Sequence, residues 1–529
     1  MMLHLINLII LFYGISKAQT TLELEWVREY TGDFELQDTR AIAVDDSGNV
    51  YVGITSFDTI SDYGFTTVKY NPDGERLWVV KYEDDNPESN DYLKDIAVDQ
   101  EGNVYVTGTS QFIQLDPFLL YRFFVTIKYN SDGEQQWLAT YRNDITNTGE
   151  PYHIAVDSTG HVYVYGIYGT GFLIKYDSSG NKQWAKSIES GTLEAEYHLS
   201  DNSIYIGSNI FTVIKYDTSG NAIWTAVNDS LNIYNKAPVD IAVDNIGNVY
   251  ISTVIKYDYN TDFLIAKFNN YGNFKWAKTY GGELYYHYRN PRICTDNNGF
   301  VYLGGYVFAD YEHEDQFIAI KYDSSGKELW VEKYDDPLDT WAKLWNIEID
   351  NLGNIYIIGH VTDYSTNNSD LALIKYDSDG NLIFSDFYGA VDRNEEASKI
   401  DIDKNNNVYI TGDSYSSKGQ KVLTLKYRQK PVSIERNTDL IPDNPVLNQN
   451  YPNPFNSSTN IFYSLPKTMH INIKIYDLLG QEVKSLFNGQ KQAGEYKIVF
   501  NAENLASGIY IYRLTSQAFT LSRKLLLIK

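Results

Sequence analysis

A single cysteine, Cys294, stands in the whole chain, so no intramolecular disulfide can form and stability has to come from burial. The repeat position that Cys294 occupies is otherwise held by small or apolar residues, and its thiol is expected to behave as a small buried hydrophobe rather than a nucleophile. Long apolar runs are also missing after the first twenty residues, which leaves no helical membrane span. The opening run from Leu5 to Tyr13 has no Lys or Arg before it. It is about nine residues long, well short of the ~20 a bilayer requires. With the small residues Ser16 and Ala18 behind it, it reads as a signal peptide cleaved after Ala18. No zinc spacing of His and Cys, no Gly-x-Ser-x-Gly elbow, no phosphate loop and no heptad occurs. No catalytic set, metal site or cofactor is expected.

Positive charge is scarce. The formal charge is −25, and residues 431–529 hold ten Lys/Arg against seven Asp/Glu, which leaves −28 on the residues before them. That body repels phosphate groups, so neither nucleic acid nor an anionic membrane surface is an expected partner for it.

What is present is a repeat. Ile42-Ala43-Val44-Asp45, then Gly48-Asn49-Val50-Tyr51-Val52, then Val68-Lys69-Tyr70, then Trp78 make one unit of four short runs. An Asp-to-Tyr spacing of six recurs at Asp99/Tyr105, Asp157/Tyr163, Asp244/Tyr250, Asp296/Tyr302, Asp350/Tyr356 and Asp403/Tyr409, and shortens at Asp201/Tyr205. A spacing of eight joins the third and fourth runs at Tyr70/Trp78, Tyr129/Trp137, Tyr176/Trp184, Tyr216/Trp224, Phe268/Trp276, Tyr322/Trp330 and Tyr376/Phe384. By this rule Ile255-Lys256-Tyr257 imitates a third run, and Phe268 is the true equivalent.

Runs rich in Val, Ile and Tyr between Asp/Asn-x-x-Gly turns are hairpins, and four strands per unit at this period is propeller-blade spacing. The chain opens on Trp26 and Tyr30, a fourth strand without its first three, and Ile400 to Tyr427 ends the repeats with three strands and no fourth. The expected fold is all-β: an eight-bladed propeller closed by the N-terminal strand, or a seven-bladed one if the degenerate unit Glu196 to Trp224 merges with a neighbour. The D-x-x-G-N-V-Y-V-x-G stretch resembles the seven-bladed β-propeller repeat (SBBP) family over residues 26–428, here with eight copies. That resemblance implies the fold and no particular activity.

The period stops after Tyr427. Residues 431–446 are polar and proline-bearing, as a linker is. The last module reads Leu447-Asn448-Gln449-Asn450-Tyr451-Pro452-Asn453-Pro454-Phe455-Asn456, Ile473-Lys474-Ile475-Tyr476-Asp477, Ala493-Gly494 and Ala506-Ser507-Gly508-Ile509-Tyr510-Ile511-Tyr512-Arg513-Leu514. Alternation and Gly-bounded turns predict about seven short strands in an immunoglobulin-like β-sandwich. These residues resemble the type A C-terminal sorting domain of type IX secretion. The resemblance implies a partner, the type IX secretion machinery bound through residues 447–529. It also implies removal of the domain, with the passenger released or attached to surface lipopolysaccharide. The domains are therefore 1–18 signal peptide, 19–430 propeller, 431–446 linker and 447–529 sorting domain, in a protein secreted or displayed on the outer surface of a Gram-negative bacterium.

Two features imitate chemistry. The Asp-x-x-Gly turns, such as Asp377-Ser378-Asp379-Gly380-Asn381, gather carboxylates yet lack the downstream bidentate Glu of a calcium loop. The stretch Tyr322-Asp323-Ser324-Ser325-Gly326-Lys327-Glu328-Leu329-Trp330 is similar to the tryptophan-docking motif of eight-bladed quinoprotein dehydrogenases. Its Asp-to-Trp spacing is one residue shorter and the vicinal cysteines of those enzymes are absent, so it is read as blade packing.

Of the 46 tyrosines, 21 hold repeat positions. Alternate connections of an up-and-down sheet emerge on opposite faces, so the short turns share one face and the variable loops (Ser56 to Gly64, Gln111 to Arg122, Tyr280 to Asn290, Val307 to Gln316, Asp335 to Trp345) share the other. The variable face brings Tyr285, Tyr286, His287, Tyr288, Tyr306, Tyr311, His313 and Trp341 to one sector, the candidate ligand-binding face. The expected function is a non-catalytic binding or adhesion module for an extracellular glycan or protein. The alternative is an extracellular hydrolase or lyase with its site on the same face.

Overall fold

The computed structural model describes residues 20–527 except 32–35, 58–62, 85, 87–88, 116–117, 143–148, 189–196, 201, 209–211, 228–239, 310–314, 335–339, 364–365, 391, 418, 432–444, 448–449, 451–454, 456–457, 478–479, 492–493, 503–504 and 517–518. The signal-peptide segment therefore lies outside the described residues. The described chain divides into two compact units, Thr20–Lys430 and one that begins at Pro431. Every described element is a strand.

In the first unit, residues 36–82, 90–141, 150–188, 197–227 and 340–388 each form a sheet of four antiparallel strands in chain order. Residues 240–280 and 286–334 repeat that pattern and are joined into one eight-stranded sheet by a single parallel bridge between Thr261 and His287. The last sheet takes three strands from Asn394–Ile402, Val408–Ser416 and Gly419–Pro431, and its fourth from Thr20–Tyr30 at the other end of the chain. The first strand of each sheet touches the first strand of the next, and Asn394–Ile402 touches Leu36–Val44, so the series closes on itself.

Both repeat spacings have a physical cause. The six-residue spacing is a hydrogen bond: the Tyr hydroxyl donates to the Asp carboxylate of its own turn, from Tyr51 to Asp45 (2.9 Å), Tyr105 to Asp99 (2.9 Å), Tyr356 to Asp350 (2.8 Å) and Tyr409 to Asp403 (3.1 Å). The other oxygen of Asp45 accepts from the backbone N–H groups of Ser47 and Asn49 at 2.9 Å each. These carboxylates are saturated by their own turns, which is what makes the turn so regular. The eight-residue spacing is a turn plus a bulge. Lys69 faces Trp78 and the register slips before Tyr70, with the same slip after Lys128, Lys175, Lys215, Lys267, Lys321 and Lys375. Phe268 therefore occupies the repeat position, while Tyr257 is 47% exposed.

The tryptophans hold each sheet to the next. Trp26, Trp78, Trp137, Trp224, Trp276 and Trp330 donate through Nε1 to the third-to-fourth turn of the following sheet at 3.0–3.3 Å. Each indole lies on the glycine two residues past the accepting carbonyl. At Gly74, φ is +78° and an added Cβ would stand 2.7 Å from the Trp26 ring, so only glycine serves there. Trp26 makes this contact from the N-terminal strand, so the junction where the two chain ends meet is built like the others.

In the second unit, Val446–Leu447, Ser458–Leu465 and Gly494–Asn501 form one sheet, and Glu482–Lys491, Met469–Tyr476, Gly508–Thr515 and Thr520–Leu527 form another. The sheets share a core that includes Ile461, Ile473, Phe500, Tyr512 and Leu525. Among the described residues no helix is long and apolar enough to cross a membrane.

Candidate functional site

On the variable-loop face, strands Val249–Lys256 and Thr261–Phe268 are joined by a tight turn in which the Tyr257 N–H donates to the Asn260 carbonyl at 2.9 Å. The next connection, residues 281–285, lies against it. Tyr285 donates its N–H to the Tyr259 carbonyl at 3.1 Å, and the Gly282 N–H and Asn260 amide donate to Asp262 at 2.8 and 3.0 Å. Two loops thus become one platform. Its surface is aromatic: Tyr259 is 60% and Tyr285 41% exposed, with ring centroids 5.9 Å apart and Leu284 exposed beside them. Tyr285 has φ +69°, a left-handed conformation that costs a non-glycine residue and is held here by its neighbours.

The residues expected on this face separate. Trp341 is 47% exposed, at the start of the strand Thr340–Ile349. Tyr286 and His287 are half-buried, His287 stacking on Phe308 with centroids 4.9 Å apart. Tyr306 is half-buried against the core of the neighbouring sheet, with Ala342 and Leu344. Tyr288 requires a correction. It is fully buried between Phe263 and Tyr280, its hydroxyl donates to Glu283 at 3.4 Å, and it has no surface to offer a ligand. Alternation along Tyr286–Thr295 turns it inward while Tyr285 faces out. Tyr311 and His313 lie outside the described residues. Sequence reading passed over Tyr257 and Tyr259; their signal was two aromatics in one short second-to-third turn, at residues the repeat did not need.

A second group of titratable side chains lies on the first strands, where each meets the first strand of the next sheet. Glu348, pushed up to about 7 by burial and then by the charge of Asp401, shares this region with Asp240. Asp401 is also held at about 7 by burial, although the Ile402 and Val44 N–H groups donate to it at 2.7 and 2.8 Å. Burial pushes the half-buried Cys294 thiol well above its usual value, and Glu348 and Asp240 add to the shift. A thiol so raised is a poor nucleophile. No group of three or more metal-ligating side chains occurs among the described residues.

Residues 449–529 match the family model described as secretion system C-terminal sorting domain, and residues 86–112 match the β-propeller repeat (SBBP) model. The chain carries a type IX sorting domain behind a β-propeller. The sorting domain marks the protein for export, to the cell surface or the medium. No curated protein matches the chain. Solved structures that match include BamB from Moraxella catarrhalis, at 13% identity over 77% of this chain and 99% of that one with a TM-score of 0.46. Sqt1 from Chaetomium thermophilum matches at 10% identity over 77% of this chain and all of that one, with a TM-score of 0.49. A protein of unknown function from Bacteroides caccae matches at 11% identity over 48% and 85%, with a TM-score of 0.30.

Proposed function

We propose that the chain is an exported eight-bladed propeller, closed by its N-terminal strand, that acts as a non-catalytic binding or adhesion module, with an immunoglobulin-like sorting sandwich at its C-terminus. The observation that carries this reading is the platform of Tyr257, Tyr259, Leu284 and Tyr285, with Trp341 on the same face. Exposed rings on a hydrogen-bonded scaffold offer flat amphipathic area at small entropic cost, which suits stacking on sugar rings or docking of a protein surface. In a glycan array, the purified chain should bind a defined set of surface glycans. The variant Y259A/Y285A/W341A should lose about tenfold or more in affinity while keeping its melting temperature. Undiminished binding by that variant would move the site elsewhere.

The second reading, a hydrolase or lyase, finds no pair of acids raised to about 7 on the variable-loop face among the described residues and would move its site to Glu348 and Asp401, two carboxyls so raised on neighbouring first strands. It predicts turnover abolished by E348Q, an outcome the binding reading does not accommodate.

Routing follows from the sorting domain. The mature extracellular protein is expected to end within residues 431–446, and to be either free or attached to lipopolysaccharide. Mass spectrometry of the secreted form checks this, and a secreted chain still ending at Lys529 contradicts removal.

A further inference from the structure

The junction between the sheets of residues 90–141 and 150–188 departs from the repeat twice. The first departure is a lysine. In every sheet of the first unit the residue before the third-strand aromatic is Lys. Lys69, Lys175, Lys267, Lys321 and Lys426 donate through Nζ to a carbonyl in the third-to-fourth turn of the next sheet at 2.7–3.0 Å, and Lys375 donates to Gln429 at 3.0 Å. Lys128 makes no such bond. The carbonyl it would meet, that of Ser178, accepts from the Trp137 indole at 3.1 Å. The half-buried Lys128 ammonium stands 5.1 Å from the centre of the Tyr105 ring, with no hydrogen bond or ion pair to any described residue.

The second departure is a histidine. In five sheets the Asp of the first-to-second turn accepts from the amide of an Asn four residues on, at 2.7–2.8 Å, the donors being Asn49, Asn103, Asn248, Asn354 and Asn407. In the sheet of residues 150–188 that place is taken by His161. Asp157 Oδ2 is left with the Tyr163 hydroxyl at 3.2 Å and the His161 Nδ1 at 3.3 Å, and Thr159 Oγ1 engages the same Nδ1 at 2.5 Å. The short amide bond that completes the other turns is missing from this one.

Both departures open on one cleft. It encloses about 390 Å³, and its lining includes Asp99, Glu101, Lys128, Asp157, Thr159 and Ser178. That volume is in the range of small-molecule sites. The lining selects the ligand by charge. An anion would meet three carboxylates, a cation would meet the ammonium, and an apolar molecule would leave all of these groups unpaired. A neutral molecule rich in hydroxyls suits both signs at once, because each hydroxyl donates and accepts.

We infer that this cleft binds a neutral sugar residue, with Lys128 donating to its hydroxyls and Asp157 and Glu101 accepting from them. The cleft is built from the short turns and the aromatic platform from the variable loops, so this site stands or falls independently of the platform.

The test is saturation-transfer NMR of the purified full chain with the methyl pyranosides of glucose, galactose, mannose and N-acetylglucosamine at millimolar concentration. It is run on the Y259A/Y285A/W341A background, so that the platform adds no signal. At least one pyranoside should receive transfer. K128M should weaken that binding about tenfold or more, the worth of a hydrogen bond from a charged group. H161N restores the amide that completes the other turns, and should weaken binding about fivefold at an unchanged or higher melting temperature. Melting separates a binding lysine from a structural one: K69M, which loses the bond to Ser131, should melt lower, whereas K128M should melt as its parent does. No transfer to any of these pyranosides, undiminished binding in K128M and H161N, or a K128M melting temperature lowered as far as that of K69M overturns the proposal. So does displacement of the sugar by an equal concentration of inorganic phosphate, which would make Lys128 the centre of an anion site.

Discussion

Deleting residues 20–31 should leave a chain that neither melts cooperatively nor stays monomeric. The deletion removes Leu22 and Trp26, buried at 4% and 6%, and empties the contact between the Trp26 indole and Gly74. Loss of the tryptophan alone is worth about 3–5 kcal/mol. It also leaves Gly419–Pro431 as an unpaired edge thirteen residues long, a template for intermolecular pairing. The edge chooses its partner by charge. Glu29 pairs with Arg393 and Lys421, Glu25 with Lys426 at 2.9 Å, and Glu23 with Arg428 at 2.9 Å and Lys430 at 3.4 Å. Most of these pairs are too exposed to add much stability, and their effect is on register. Size-exclusion chromatography and calorimetry of the truncated chain decide the matter: a monomer with an unchanged melting temperature would show that the N-terminal strand is dispensable.

The other large effect is on pH. Glu348 and Asp401 are raised to about 7, above their unfolded values, so the native state holds their protons more tightly. Their contribution is complete below the unfolded values and is lost as pH rises through 7. Between pH 5.5 and 8 the pair should cost about 2 kcal/mol, after discounting for water that reaches it. Asp91 and Asp413, raised to about 6 by burial, act in the same sense, and His360, held down at about 4 by burial, acts in the opposite sense below its unfolded value, so the raw profile mixes several groups. The difference between wild type and E348Q/D401N isolates the pair. The variant should be more stable at pH 8 by about that amount and lose the advantage near pH 5. Parallel profiles would mean that the two carboxyls titrate normally.

The repeat made most of the ring legible, because its two spacings are structural events: a Tyr hydroxyl reaching an Asp six residues back, and a turn followed by a bulge. The bond itself was not visible, since spacing reports that two residues belong together and leaves the reason open. Trp26 announced the closing strand by being a fourth-strand tryptophan with no strands before it. Tyr288 misled because four aromatic residues in a row, Tyr285 to Tyr288, read as one loop surface, whereas the strand starts at Tyr286 and alternation applies from there. The first-strand carboxyls were missed for a related reason. Ile347-Glu348-Ile349 and Ile400-Asp401-Ile402 show an ordinary polar face, and nothing local says that the first strands of successive sheets pack against one another.

The pairing of Thr20–Tyr30 with Gly419–Pro431 joins segments separated by nearly the whole first unit. Apart from the single bridge between Thr261 and His287, every other described ladder in that unit links strands that follow one another in the chain and can form locally. This one carries the full loop-closure entropy, which grows with the logarithm of the length enclosed and slows folding. The last sheet therefore completes late, after both of its ends have been made and brought together. Until then the chain is an open series of sheets, easier to unravel from either end than the closed ring it becomes.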